Sequence, residues 1–407
     1  MANPYRALLE VPGARVFVAA GFVGRMSMSM VGIGIVLLVS AVTGSYGIAG
    51  SVSAVYALAF AVVSPLLGRL VDRRGQGRVL MPLGLANGAS LALLVACAVL
   101  EWPTWTLFPV AVLGGVTSPG LGAMVRARWI NVLKNGPQPP PAGVGLHTAF
   151  SFESVLDEII FVTGPMLVSL LATTVHPAGG VLAAGALTTA GCLVLATQRA
   201  TEPPPSEGGP AGVAGVLAVP GVVVVALAFL LMGGVFAGVE VSVIAFTEEQ
   251  GHPGLAGVLL ASFALGSCVA GLWYGARVWR SPLDRRFLAG LALLAVGVAP
   301  LSLIGTWPVM LAVIFVSGLA ISPTIIPGYG LVERLVPAPQ LTEGMAVVST
   351  AVAVGIAVGA SATGRLVDGH GSRGGLLFAT GAGLAATAVA LVGRSRFRQS
   401  LTSDKHE

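Results

Sequence analysis

Five ionisable side chains sit inside long apolar stretches of this 407-residue chain: Arg25, Glu153, Asp157, Glu158 and Glu240. A charge near the centre of a bilayer costs about 2.5–3.5 kcal/mol or more, so each of them needs a reason to be there. Three fall in the run FSFESVLDEIIF. On a helix, Glu153 and Asp157 share a face, and Glu158 is turned about 100° from Asp157. Two carboxylates stacked in a low-dielectric setting repel, so one of them is expected to take up a proton. That is the chemistry of a reversible proton site, and the spacing leaves open which of the three acids carries the proton. Arg25 lies roughly 14 Å along its apolar stretch at helical rise, too deep to snorkel, and requires an anionic partner. Its roles are coupling, substrate binding or a static ion pair that fixes packing. Glu240 is closer to the end of its stretch and can partly reach water.

The elements that must position these groups are membrane spans. The chain is 55% apolar and 10% charged, with a mean hydropathy of +0.89, against roughly 25% charged residues in a soluble domain. Stretches long enough to cross a bilayer occur at 16–41, 47–69, 79–100, 105–125, 147–173, 178–198, 219–245, 253–276, 287–306, 308–332, 342–366 and 374–394. The expected fold is therefore an all-α integral membrane protein with twelve transmembrane helices. The first stretch is too long for a signal peptide and is expected to remain in the mature protein.

The net charge of +5 is explained by loop distribution and does not call for nucleic acid. With the N-terminus inside, nineteen of the 22 basic residues fall on the cytosolic side, leaving Arg365 and Arg373 outside and Arg25 within a span. The positive-inside rule then places both termini in the cytosol of a multi-pass protein of the cell (inner) membrane. Cys97, Cys192 and Cys268 fall within spans and read as small packing residues. The five histidines have no metal-ligand spacing, and no phosphate-binding loop or nucleophile constellation is present. No metal, no cofactor and no enzymatic activity are expected.

Residues 199–218, rich in proline and glycine, divide the spans six and six. The reading is an N-terminal bundle at 1–198, a cytosolic linker at 199–218 and a C-terminal bundle at 219–407. A shift of 204 residues places Ser118-Pro119 on Ser322-Pro323, the signature of a duplicated six-helix unit. Pro119, Pro323 and Pro327 are expected to bend the fourth and tenth spans, and Gly164 and Pro165 the fifth. Met26, Met28 and Met30 give the first span a pliant face suited to packing or to varied apolar ligands.

Between the second and third spans runs GRLVDRRGQGRVL, residues 68–80. Gly68, Leu70, Asp72, Arg73, Gly75 and Leu80 stand where the signature loop of the major facilitator superfamily has its fixed positions, and the chain resembles that family of transporters. The same shift of 204 carries this loop to 275–286, where Gly275, Arg277, Arg280, Arg285 and Arg286 keep the charge but the pattern is degraded. A second GRLVD at 364–368 is out of register with the repeat, falls on the outer side of the expected topology and is read as coincidence.

The resemblance implies two pseudo-symmetric six-helix bundles, a central cavity lined by spans 1, 4, 7 and 10, and the fifth span close to the first, so that Arg25 could meet Asp157 or Glu158. It also implies gating by the loop residues Gly68, Asp72, Arg73, Gly75 and Arg78. Gly164-Pro165 in the fifth span partly matches the motif of bacterial proton-coupled drug and metabolite exporters. Their usual arginine within the fourth span is missing, because Arg126 and Arg128 are expected only at its cytosolic end. The expected function is proton-coupled efflux, by antiport, of a small molecule, whether or not it is hydrophobic. The alternatives are a proton symporter for a polar solute, or a lipid flippase or non-transporting sensor of the same fold. Partners are then a small-molecule substrate, protons and membrane lipid, with the chain acting as a monomer.

Overall fold

The computed structural model describes residues 4–136, 139, 144–205, 212–252 and 255–397. Among these the regular elements are all helical. After the short α1 (Pro4–Leu8) come α2 (Ala14–Thr43), α3 (Tyr46–Arg74), α4 (Gln76–Val99), α5 (Leu107–Thr117), α6 (Leu121–Lys134), α7 (Leu146–Thr174), α8 (Gly179–Thr197) and the short α9 (Gly212–Leu217). The remainder is α10 (Pro220–Glu249), α11 (Ala256–Gly275), α12 (Leu283–Val298), α13 (Trp307–Gly318), α14 (Ile321–Leu335) and α15 (Leu341–Val392).

Among the described residues, eleven helical segments are long and apolar enough to cross a membrane. The last of them is two helices joined at Gly371, whose φ of 66° and ψ of −172° no helical residue adopts. Twelve spans result. Glycine is suited to this corner because a Cβ is strained at positive φ. The Glu249 carboxylate secures it from the end of α10, accepting from the Ser372 backbone N–H at 2.7 Å and from Ser372 Oγ at 2.6 Å.

Several sequence boundaries move. The expected loop at 68–80 is almost entirely helix: α3 runs through Arg74, α4 starts at Gln76, and Gly75 alone turns the chain with φ 85° and ψ 150°. The second GRLVD, expected in an outer loop, is helical in α15 and precedes the Gly371 corner. The fourth span does not stop at 125. It breaks across Ser118–Gly120 and continues as α6 to Lys134, so Arg126 and Arg128 lie well inside it. The tenth span breaks at Leu319–Ala320, just before Pro323, which sits in the first turn of α14, whereas Pro327 lies inside that helix.

Contacts gather the chain into two compact units. The first comprises Arg6–Ala142 and Ile159–Val213, and the second Met1–Tyr5, Gly143–Glu158 and Ala214–Glu407. This division differs from a cut at 199–218, since the N-terminal half of α7 and Tyr5 belong with the later helices. Hydrogen bonds explain the assignment. Thr148 Oγ1 donates to the Gly275 carbonyl at 3.0 Å, and the Tyr5 hydroxyl donates to the Leu272 carbonyl at 2.5 Å, both at the end of α11. Burial pushes the Tyr5 phenol up to about 12, so it keeps its donor proton through the physiological range. Within the 199–218 segment, residues 206–211 lie outside the described residues and α9 occupies 212–217.

The two units repeat one packing scheme. In the first, α8 receives α2 and α4, while α3 packs on α5; in the second, α15 receives α10 and α12, while α11 packs on α13. The core of the first unit packs Met30, Ile35 and Leu38 of α2 against Leu91 and Leu94 of α4 and Val181 of α8.

Candidate functional site

Helix α7 carries chemistry in both units. Its first half delivers Glu153, fully buried, and Asp157 and Glu158, both partly buried, to the second unit. Glu158 stands beside the Ser267 hydroxyl of α11, with Asp157 as its charged neighbour. Ser267 Oγ in turn lies 2.9 Å from Ser322 Oγ of α14, and either hydroxyl can act as donor. Ser322 is next to Pro323, at the break between α13 and α14. A carboxyl, two hydroxyls and a helix break on three helices thus form one polar chain. Hydroxyl rotors can donate to a carboxylate or accept from a carboxylic acid, so this chain accommodates Glu158 in either protonation state.

The second half of α7 packs in the first unit. Ser29 Oγ of α2 donates to the Ile160 carbonyl at 2.8 Å. Gly164 makes this approach possible, because a Cβ there would collide with the Ser29 hydroxyl. Pro165 follows without breaking the helix, and its missing N–H leaves a carbonyl one turn earlier without its usual donor.

Arg25 is buried in the first unit, its Nε donating to the Gly21 carbonyl one turn back at 3.1 Å. Arg126 comes close to it. A side chain at Gly122 would meet Arg126 Nη1 at 3.2 Å and Arg25 Cδ at 3.8 Å, so two buried guanidinium side chains flank this one glycine. Glu240 is exposed on α10, nine residues before its C-terminal Glu249.

Around the 68–80 turn, Gly68 and Gly75 are buried, Asp72 is partly buried, and Arg73 and Arg78 are exposed. The tie that holds this turn is one that hydropathy reasoning missed. Arg128 is fully buried and spends its donors on four acceptors: Gln76 Oε1 at 2.6 Å, the Gln198 carbonyl at 2.8 Å, Thr201 Oγ1 at 2.7 Å and the Leu195 carbonyl at 2.8 Å. Gln76 also donates to the Met124 carbonyl at 3.0 Å, and Glu202 Oε1 accepts from the Gly77 N–H at 3.0 Å. The turn, the end of α6 and the segment after α8 are thereby one hydrogen-bonded unit. An arginine falling just past the expected end of an apolar stretch is the signal that could have found it, because a guanidinium drawn into a span needs several acceptors nearby.

Among the described residues no group of three or more histidine, cysteine, aspartate or glutamate side chains could hold a metal ion. The Major Facilitator Superfamily profile matches residues 17–280 and again 225–407. Among solved structures the chain is similar to the human organic anion transporter MFSD10 (TETRAN), with 16% identity, a TM-score of 0.70, and coverage of 93% of this chain and 100% of the other. It is also similar to a bacterial homologue of the iron transporter ferroportin in an outward-facing state, with 14% identity, a TM-score of 0.73, and coverage of 94% and 99%. No curated protein matches. At these identities the likeness speaks for the fold alone.

Proposed function

Because the chain belongs to the Major Facilitator Superfamily and is a multi-pass transporter, not an enzyme, we propose that it is a proton-coupled exporter working by antiport, with Glu158 as the proton-carrying group. The observation that carries this reading is the Glu158–Ser267–Ser322 chain, which joins an intramembrane carboxyl to the break between α13 and α14. Proton gain or loss at Glu158 changes what the two hydroxyls donate and accept. Ser322 lies where the tenth span is interrupted, so the change is felt at a place where helix direction is set. The acid cluster Glu153, Asp157 and Glu158 supplies the like charges that make one proton favourable. Proton handling is then concentrated on α7, and Asp72 and Arg73 gate the side that bears the 68–80 turn. The distribution of basic residues supports an inner-membrane location with both termini in the cytosol.

The test uses protein reconstituted into liposomes with an internal pH dye, challenged on one side with hydrophobic cations, sugars, amino acids and organic anions. Substrate-dependent proton movement is expected in the wild type. Glu158→Gln is expected to abolish proton movement and gradient-driven flux while leaving substrate counterflow measurable. Undiminished gradient-driven flux in this variant would remove Glu158 from the role.

A second reading concerns the substrate. The two guanidinium side chains flanking Gly122 favour an anionic group on the transported molecule, and one fold neighbour is described as an organic anion transporter. Competition in the counterflow assay separates the readings, since anions would displace substrate where hydrophobic cations fail.

A further inference from the structure

The loop between α11 and α12, residues 276–282, lies far along the chain from the acids of α7 and presents an unusual surface. On α11 the exposed apolar residues Leu265, Val269, Leu272 and Trp273 recur at helical spacing and form a stripe of the kind that faces lipid. Trp273, 53% exposed, is in the last turn of α11 and ends that stripe. An indole at the end of a lipid-facing stripe sits at head-group depth. One turn further on, the Arg277 guanidinium lies over the Trp273 ring at 5.2 Å from its centroid and 5.9 Å from that of Trp279. Val278, 76% exposed, projects beside it.

The platform beneath is tied together by stacking and hydrogen bonds. Trp279 stacks on Tyr274 with ring centroids 4.5 Å apart, and its indole N–H donates to the Tyr274 carbonyl at 2.9 Å. Arg286 Nη1 donates to the Tyr274 hydroxyl at 2.8 Å, which fixes the start of α12 to the end of α11. Three arginines then remain at the surface: Arg277, Arg280 and Arg285. The acid of this stretch, Asp284, is buried and paired with Arg394 at 3.3 Å, so it does not offset them at the surface.

We propose that this surface is a binding site for the head group of an anionic phospholipid, with Arg277, Arg280 and Arg285 contacting the phosphate region and Trp273 and Val278 set among the upper acyl-chain carbons. Charge complementarity selects the occupant: basic groups beside a span attract anionic lipid, and guanidinium forks bind phosphate oxygens. The cation–π stack holds Arg277 in place beforehand, reducing the side-chain entropy lost on binding.

The full-length protein in nanodiscs of phosphatidylcholine, doped with a small fraction of brominated lipid, tests this through tryptophan quenching. Brominated phosphatidylglycerol is expected to quench at least about threefold more effectively than brominated phosphatidylcholine at equal mole fraction, with the excess falling as salt rises. The triple variant Arg277→Gln, Arg280→Gln, Arg285→Gln should lose that excess while its quenching by brominated phosphatidylcholine stays at the wild-type level, which also reports that the spans remain embedded. Trp273→Phe should remove most of the excess with all arginines in place. Equal quenching of the wild type by the two lipids would overturn the proposal, and so would an excess that survives the triple substitution.

Discussion

The turn between α3 and α4 and the loop between α11 and α12 occupy corresponding places in the two halves, yet they are held in opposite ways. Shifted by 204 residues, Asp72 falls on Ala276, Arg73 on Arg277 and Gly75 on Trp279. The first connection is a single left-handed glycine, tied inward by Arg128, Gln76 and Glu202 through hydrogen bonds to carbonyls and amides. The second is a seven-residue loop, Ala276–Pro282, held by stacking of Tyr274, Trp279, Arg277 and Arg286 near its surface. Duplicated units therefore conserve the place of a connection without conserving its chemistry. An inward hydrogen-bonded tie fixes geometry, whereas an outward cation–π stack leaves charge available to the surroundings.

The sharpest way to break this contrast is Arg128→Met. It removes the donor from two buried carbonyls and from Gln76, and is expected to cost about 3 kcal/mol, read as a clear fall in melting temperature in detergent. A melting temperature within error of the wild type would mean that the inward tie is not what holds the turn.

Next comes Gly75→Ala. It strains a backbone at φ 85° and drives a Cβ into the Glu202 carboxylate, for a cost of about 1–3 kcal/mol. Transport is expected to fall by roughly tenfold, whereas Trp279→Phe at the corresponding place should leave rates close to wild type. Equal losses in the two variants would erase the asymmetry.

Asp72→Asn is expected to slow turnover several-fold with substrate affinity unchanged, because a gating residue acts on the conformational step. A weaker affinity at full turnover would instead place Asp72 in binding. The smallest effect is expected for Arg286→Met, about 1–1.5 kcal/mol, the scale of one hydrogen bond together with partly exposed cation–π contacts. A loss matching that of Arg128→Met would show that the second connection is as tightly tied as the first.

Much of the architecture is legible in the one-dimensional pattern, because a bilayer demands long apolar helices whatever they pack against. The seam between the stretches at 342–366 and 374–394 contains the Gly371 corner, and Gly371 is the kind of residue such a corner needs. Arg126 and Arg128 were illegible for a definite reason. Hydropathy ends a span at the first charge, but the acceptors that allow Arg128 to be buried lie 52 to 73 residues away in sequence. The partner of Gly164 was hidden in the same way, since Ser29 is more than a hundred residues distant.

The sequence by itself determined that the chain crosses a membrane about twelve times, that it is built from two related halves, and that α7 carries a costly cluster of acids. These follow from local composition and periodicity, which act through solvent transfer and need no knowledge of neighbours. Tertiary structure decided that α7 is shared between two compact units, that Glu158 meets a serine pair at a helix break, and that a buried arginine ties the turn at Gly75. Those depend on which distant residues supply hydrogen-bond partners, and a buried polar group is stable only where folding brings them to it.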